Sequence, residues 1–325
     1  MIPARTSQRL GGDTKLLVLN DKDQIQHATV HHLIEFLNAG DLLIVNTSGT
    51  LPSSFHGHLQ RTGEAIEIRL AAFQGPNPAH LHKWLAFSFG KGNWTIPTEH
   101  RGSPPQLVAG DKIIFGPELS LEIISCQYER LLEVKFLSSQ LEQSLYQYGK
   151  PIQYSYLTEN LAVWDQQTIF SGPPISVEPP SASFPFTWES VLSMQKKGVQ
   201  IANILHGAGI SSTGSTELDQ LLPLTEWYDI PEATAIKFHH AKQNHKKIIA
   251  IGTTVLRALE SSWDGKQLRQ GQGLTNLKIT PDYKIQTTNA LVTGMHEVGT
   301  SHMNILDSIC PIDHIRAGYS EAEQL

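Results

Sequence analysis

Three stretches of the chain gather residue types that carry acid–base and anion-binding chemistry. Ile248-Ile-Ala-Ile-Gly-Thr-Thr-Val-Leu-Arg257 reads as a strand, a Gly-Thr-Thr turn and a helix start. A helix start presents free backbone N–H groups and a partial positive charge. Thr253 or Thr254 can cap it or hold a ligand, and Arg257 lies one turn in, which suits a carboxylate, a phosphate or a ribose. An ordinary Thr-capped helix with a surface arginine has the same pattern. Leu205-His-Gly-Ala-Gly-Ile-Ser-Ser-Thr-Gly214 sets His206 at a strand end before a glycine-rich turn. Such a turn is weak on its own, and the titratable His206 tips it towards a ligand loop. Thr293-Gly-Met-His-Glu-Val-Gly-Thr-Ser-His302 brings His296, Glu297 and His302 after a further strand. A zinc-protease helix needs two histidines at i and i+4. Here they stand at i and i+6 with Gly299 between, so no metal is expected. His56/His58 and His80/His82 have no third ligand nearby and read as surface residues. No Gly-x-Gly-x-x-Gly, P-loop or Gly-x-Ser-x-Gly is present.

These residues need a scaffold, and the apolar pattern supplies one. Strands are predicted at Leu16 to Asn20 and Gly40 to Asn46, with a helical stretch from Val30 to Leu37 between them. From Leu51 to Phe136 short alternating runs follow one another, at 65–70, 84–87, 107–108, 112–115, 121–124 and 132–136, as in a small β-barrel or sandwich. A helix is expected over Ser138 to Tyr148. Residues 151–180 are irregular and rich in Pro, Gly and Ser, a linker or a functional segment. Helices are then predicted at 188–197, 232–244, 254–262 and 301–309, and strands at 199–205, 247–252, 283–287 and 290–293. The simplest architecture is mixed α/β. Residues 1–52 and 149–325 form a large domain, and 53–148 form an inserted small all-β domain.

Composition bounds the function. The 325 residues are 40% hydrophobic and 17% charged, with a net charge of -6. That is enough apolar material for a core, and it excludes a strongly basic nucleic-acid binder. It does not exclude RNA, which needs only a local basic patch. The densest one, Lys237 to Lys247, reads first as a solvated helix face. Two cysteines, Cys126 and Cys310, make no disulfide framework and fit a reducing cytoplasm. Met1 to Arg9 lacks an apolar signal core, and no run of about 18 apolar residues marks a membrane span.

Five segments occur in the order and spacing of one family. They are Gly40-Asp-Leu-Leu-Ile-Val-Asn46 with Pro52 and Gly57, Gln167-Thr168, Leu205-His206 with its glycines, Gly252-Thr-Thr-Val-Leu-Arg257, and Leu291-Val-Thr293 with His296. Over residues 8–320 the chain resembles the S-adenosylmethionine:tRNA ribosyltransferase-isomerases of queuosine synthesis. The resemblance implies a large α/β domain with a β-barrel-like core and flanking helices, plus the inserted β domain. It implies ribosyl transfer from S-adenosylmethionine to the aminomethyl group of a 7-deazaguanine in a tRNA anticodon. Adenine and methionine leave, and an epoxycyclopentanediol forms. No metal or cofactor beyond that co-substrate is implied. On this resemblance His206 and His296 are the acid/base candidates, with Arg257 also in the catalytic set. Thr253, Thr254, Asn46, Gln167, Glu178, Glu226 and Glu297 are candidates for substrate binding. The expected form is a cytoplasmic monomer away from membranes.

Some positions depart from the family pattern. Its Asn-Asn-Thr-Arg turn and the arginine after its proline are replaced, with Gly49 and Ser54 at the two arginine positions. Its Ala-Ala-Pro-Thr-Ala-Gly-Leu-His-Phe is here Glu178-Pro-Pro-Ser-Ala-Ser-Phe-Pro-Phe186, so Pro185 stands for a histidine and Glu178 is a new acid. Glu297 and His302 replace apolar residues. The opening and closing strands of the pattern are not found in the sequence. Arginine loss weakens phosphate recognition. Two further readings therefore stand beside the first. One is a paralogue using S-adenosylmethionine or a related nucleoside on a non-tRNA acceptor. The other is a catalytically inactive nucleoside-binding protein.

Overall fold

Leu42–Asn46 is buried on both faces, and this explains its unbroken apolar run. Leu42 and Ile44 point into one core with Phe238, Val255 and Leu259, whereas Leu43 and Val45 point into another with Phe186, Met194 and Ile251. A strand covered by helices on both sides has no polar face to alternate. The structure is a computed structural model and describes residues 13–20, 24–296 and 300–324.

The chain opens with a hairpin of β1 (Lys15–Leu19) and β2 (Ile25–Thr29), followed by a 3-10 helix at Val30–Phe36, β3 (Leu42–Asn46) and the short β4 (Gly49–Thr50). Next come β5 (Ser54–Leu59), β6 (Ala65–Phe73), β7 (Lys83–Phe89), β8 (Lys112–Gly116), β9 (Leu119–Cys126) and β10 (Leu131–Leu137). They pair in the order β5-β6-β7-β10-β9-β8, and β5 also pairs with β8 through His58↔Ile114, which closes a six-stranded barrel. Phe55, Phe73, Trp84 and Phe136 are fully buried in the hydrophobic cluster built on it. Then follow α1 (Leu141–Tyr148), β11 (Gly149–Lys150), β12 (Pro174–Ser176), α2 (Trp188–Lys196), β13 (Gln200–His206), α3 (Thr216–Asp219), β14 (Glu226–Ile230) and α4 (Glu232–Gln243). The chain continues with β15 (Ile248–Ile251), α5 (Thr253–Ser262), β16 (Gly271–Thr275), β17 (Ala290–Val292), α6 (Ser301–Asp307) and α7 (Ile312–Gln324).

The α/β part is a six-stranded sheet in the order β16-β14-β13-β3-β15-β17. The mixed α/β class is as expected. Barrel closure falls within 54–137, and the sheet built from the two ends of the chain runs as a line of paired strands. Two strand predictions fail. Leu107-Val108 is a turn, in which Asp111 accepts from the Val108 N–H at 2.9 Å and Val108 is exposed. Tyr283 to Thr287 is a loop wrapped on Glu260, whose carboxylate accepts from the Tyr283 hydroxyl and the Gln286 and Thr287 N–H groups. In both, a carboxylate takes the donors that a ladder would need. The capping expectation also fails: the N-cap of α5 is Gly252 at φ 101°, and no side chain caps it. A backbone turned into the left-handed region suits glycine alone.

Candidate active site

Strands β13, β3, β15 and β17 are parallel, with Ile204 beside Asn46, Val45 beside Ile251, and Ile251 beside Val292. Their carboxyl ends therefore bring Asn46, His206, Gly252-Thr253 and Thr293 to one edge. Ligands of open α/β sheets bind at such an edge. Strand β14 runs the other way, with Tyr228 opposite His206, so its first residue, Glu226, arrives at the same place.

Glu226, Arg257 and His206 form the buried heart of this edge. Arg257 Nη1 donates to Glu226 Oε2, and Arg257 Nε donates to the Leu277 carbonyl at 3.0 Å. Glu226 Oε1 accepts from the Gly209 N–H at 2.7 Å. His206 Nε2 stands 3.5 Å from Glu226 Oε2, outside good hydrogen-bond geometry. Both ring nitrogens of His206, and Arg257 Nη2, are buried without a hydrogen-bond partner among the described residues. Burial penalises the Glu226 carboxylate, but Arg257, His206 and the Gly209 N–H outweigh it and hold its pKa below the usual range. Burial pushes His206 down to about 4 against the pull of Glu226, so the imidazole is neutral at pH 7. Buried polar atoms are normally paired, and among the described residues three unpaired ones lie around this one carboxylate.

A second acid joins from the irregular segment. Glu178 is half-buried and accepts the Tyr154 hydroxyl, which also meets the Ser212 carbonyl at 3.2 Å. Burial and the nearby Glu226 raise the Glu178 pKa, although Ser211 and Tyr154 donate to it. Burial and Glu178 push Tyr154 well above its ordinary value. Gly209 is a required glycine in this loop: a Cβ there would lie 2.6 Å from the Ala71 carbonyl and 2.9 Å from Glu226 Oε1.

The third contribution is a histidine pair. His296 Nε2 meets Thr293 Oγ1 at 2.8 Å, and its ring stacks on His302 with centroids 4.7 Å apart and planes 13° from parallel. Burial and His302 push His296 down to about 4. His302 is lowered by burial, and it feels both Glu226 and Arg257, so the stack leans on the buried heart. Among the described residues no group of three or more His, Cys, Asp or Glu could hold a metal ion. Glu297 lies outside the described residues.

The model of the family described as queuosine biosynthesis protein matches residues 3–324. The chain belongs to this family. Among its relatives is the S-adenosylmethionine:tRNA ribosyltransferase-isomerase of Chlorobium phaeovibrioides, 31% identical over 96% of this chain and 88% of that one. The enzyme of the same name from Acaryochloris marina is 29% identical over 95% and 82%. A crystal structure of the S-adenosylmethionine tRNA ribosyltransferase of Thermotoga maritima shares the fold, with a TM-score of 0.51, 22% identity and coverage of 99% of this chain and 90% of that one.

The family member's candidate residues thus divide. His206, Arg257, Glu226, Glu178 and His296 gather at one edge, with Thr253 on the Arg257 face of α5 (i, i+4); Thr254 is in the same first turn. Asn46 and Gln167 serve the backbone. Asn46 accepts from the Ser48 and His206 N–H groups, both at 3.0 Å, and donates to the His206 carbonyl at 2.9 Å. It therefore fixes His206 rather than presenting its amide to a ligand. Gln167 clasps both backbone groups of Thr50, at 3.1 and 2.9 Å. The patch from Lys237 to Lys247 sits at the opposite edge of the sheet, where Lys237 caps the Ile201 carbonyl and Lys242 the Gln286 carbonyl. Sequence reasoning missed Tyr154 and gave His302 no role. Tyr154 sits in a segment with no periodicity, and only the ring stack shows what His302 does.

Proposed function

We propose that the protein is an S-adenosylmethionine-dependent ribosyltransferase-isomerase that modifies a 7-aminomethyl-7-deazaguanine base in tRNA. The observation that carries this reading is the neutral His206, buried beside the Arg257–Glu226 pair with neither ring nitrogen partnered among the described residues. In a family whose members are named for that reaction, this is a base waiting for a proton. The sulfonium of the donor acidifies the adjacent ribose carbon, C5′. His206 takes that proton, and the imidazolium that forms is stabilised by Glu226 at 3.5 Å. The same proton is then available to the departing adenine. Methionine leaves with the S–C5′ electron pair on sulfur. Arg257 Nη2 offers a free donor to a carboxylate or hydroxyl of the donor molecule. His296, bonded to Thr293 and stacked on His302, is a second proton carrier at the rim.

The reading calls for no metal and no cofactor beyond S-adenosylmethionine, because the leaving group is activated by its own charge. All the groups named come from one chain, which suits a monomer. The acceptor places the work in the cytoplasm, and among the described residues no helix is long and apolar enough to cross a membrane. The test is release of adenine and methionine from S-adenosylmethionine, with and without tRNA carrying the aminomethyl base. Release that depends on that tRNA is expected. In His206→Gln the rate falls by about 10²–10⁴ while donor binding persists. Absence of adenine with the modified tRNA would overturn the tRNA reading.

A further inference from the structure

Arg257 serves a ligand only if its fork is aimed, and an aimed side chain needs anchors that hold still. One anchor is Glu226, whose strand β14 is paired on both sides, with β13 and β16. The other is the Leu277 carbonyl, which accepts from Arg257 Nε at 3.0 Å. Leu277 belongs to the stretch 276–289 between β16 and β17, which lies outside the helices and strands. A stretch of that length keeps one conformation only if side chains take its backbone groups. Helix α5 supplies them from a single turn. Ser261 Oγ meets Thr275 Oγ1 at 2.6 Å where the loop begins, and Arg257 takes the Leu277 carbonyl two residues on. Glu260, three residues after Arg257 and so its neighbour along the helix, takes the far end. Its Oε1 accepts from the Gln286 N–H at 3.0 Å, the Thr287 N–H at 2.8 Å and the Thr287 hydroxyl, and its Oε2 accepts from the Tyr283 hydroxyl at 3.0 Å.

We infer that Glu260 is a positioning residue for Arg257, acting through this loop. The four donors that its buried carboxylate meets all belong to the loop. Leu277, Ile279, Tyr283 and Ile285 also pack on the core that holds Val255 and Leu259 of α5. Apolar packing is non-directional, so it keeps the loop down without setting where one carbonyl points. The hydrogen bonds do that. Glu260 fixes 283–287, the loop fixes the Leu277 carbonyl, and that carbonyl with Glu226 fixes Nε and Nη1 of Arg257. A planar guanidinium held at two nitrogens cannot turn, so the direction of Nη2, unpartnered among the described residues, is set as well. That Nη2 serves the donor molecule rests on the function proposed above. That Glu260 aims it does not.

The test reads Arg257 directly, by nitrogen-15 NMR of its Nε–H in the full-length unliganded protein, with the signal identified by its loss in Arg257→Lys. In the wild type this proton is expected to exchange slowly with solvent and to share its opening equilibrium with the Gln286 and Thr287 amides, because one carboxylate holds the loop that closes all three. Glu260→Ala should speed the Nε–H exchange by about tenfold or more. Glu260→Gln should restore most of the protection, since its amide oxygen still accepts from Gln286 and Thr287 and the Tyr283 hydroxyl turns to accept from its nitrogen. A residue needed only for stability would lower the melting temperature and leave the Nε–H exchange unchanged, and that result overturns the proposal. If Glu260→Ala does not fold, the wild type decides: an Nε–H that exchanges while the two amides stay closed overturns it. Donor binding is the second readout. The affinity for S-adenosylmethionine should fall by about tenfold in Glu260→Ala, and adding Glu260→Ala to Arg257→Lys should lower it little further. Fully additive losses overturn action through Arg257. A wild-type protein that binds no S-adenosylmethionine removes the donor reading, and the Nε–H exchange then decides on Glu260 alone.

Discussion

Arg257 grips the Glu226 carboxylate through Nη1 and leaves Nη2 buried without a partner among the described residues. One guanidinium therefore does two things: it neutralises an acid, and it holds a donor in reserve. Arg257→Ala would strand a buried carboxylate beside a neutral histidine. We expect a stability loss of about 3–5 kcal/mol in urea unfolding and no adenine release. Arg257→Lys keeps the charge but loses the planar fork, so it should recover part of the stability while turnover stays low. Unfolding midpoints like those of the wild type in Arg257→Ala would show that the pair is not what holds this edge together.

The neutral histidines make stability fall on acidification. An unfolded histidine titrates near its ordinary value of 6.5, whereas His206 and His296 in the folded protein titrate at about 4. Between those values the unfolded chain binds protons that the folded chain does not. Stability should therefore drop as pH falls through this window, by up to about 1.4 kcal/mol per pH unit for each histidine. Glu178 works in the opposite sense, because its raised folded pKa adds stability at low pH that is lost as pH rises through it. Urea midpoints measured from pH 7.5 to 4.5 report the sum, and His206→Gln should flatten the slope. An unchanged slope in that variant would exclude His206 as the source.

Asn46→Ala should behave as a structural lesion that reaches catalysis indirectly. It removes three hydrogen bonds to backbone: the Ser48 and His206 N–H groups lose their acceptor, and the His206 carbonyl keeps only the Ser176 hydroxyl among side-chain donors. A cost of about 1–3 kcal/mol is expected, together with slower turnover because the His206 backbone is no longer fixed. Donor affinity should change little. A variant with wild-type stability and a large loss of donor affinity would instead make Asn46 a ligand-binding residue.

Restoring the arginines of the family pattern should fail at Gly49. A Cβ at Gly49 would lie 2.7 Å from the Gly172 carbonyl and 3.4 Å from the Pro174 Cα, where β4 pairs with β12. Gly49→Arg forces the strands apart and should cost about 1–3 kcal/mol, seen as a lower melting temperature. Ser54→Arg meets a different obstacle. Ser54 donates to Glu67 at 2.7 Å, and Glu67 is already held at about pKa 2 by Arg69 and Arg101. A third guanidinium there would be unmatched. Normal melting of either variant would show that the local space is looser than these distances imply.

The sequence by itself determined most of the elements and the places where several candidate residues fall. The unbroken run at Leu42 to Asn46, the glycine after α2 and the Gly252-Thr253-Thr254 turn each carry a local signal, because burial on both faces, positive φ and helix starts restrict residue type directly. His206, Arg257 and His296 were legible because each follows a strand end, where α/β sheets collect ligand groups. Tertiary structure alone decided the roles. Asn46 and Gln167 looked like ligand residues in the sequence, yet their amides bind backbone brought from more than 100 positions away. Tyr154 and Glu178 sit in a segment without periodicity, and they meet only because that segment folds back against the 209–212 loop. Whether a polar side chain serves the backbone or a substrate depends on which donors and acceptors surround it after folding, and no local pattern records that.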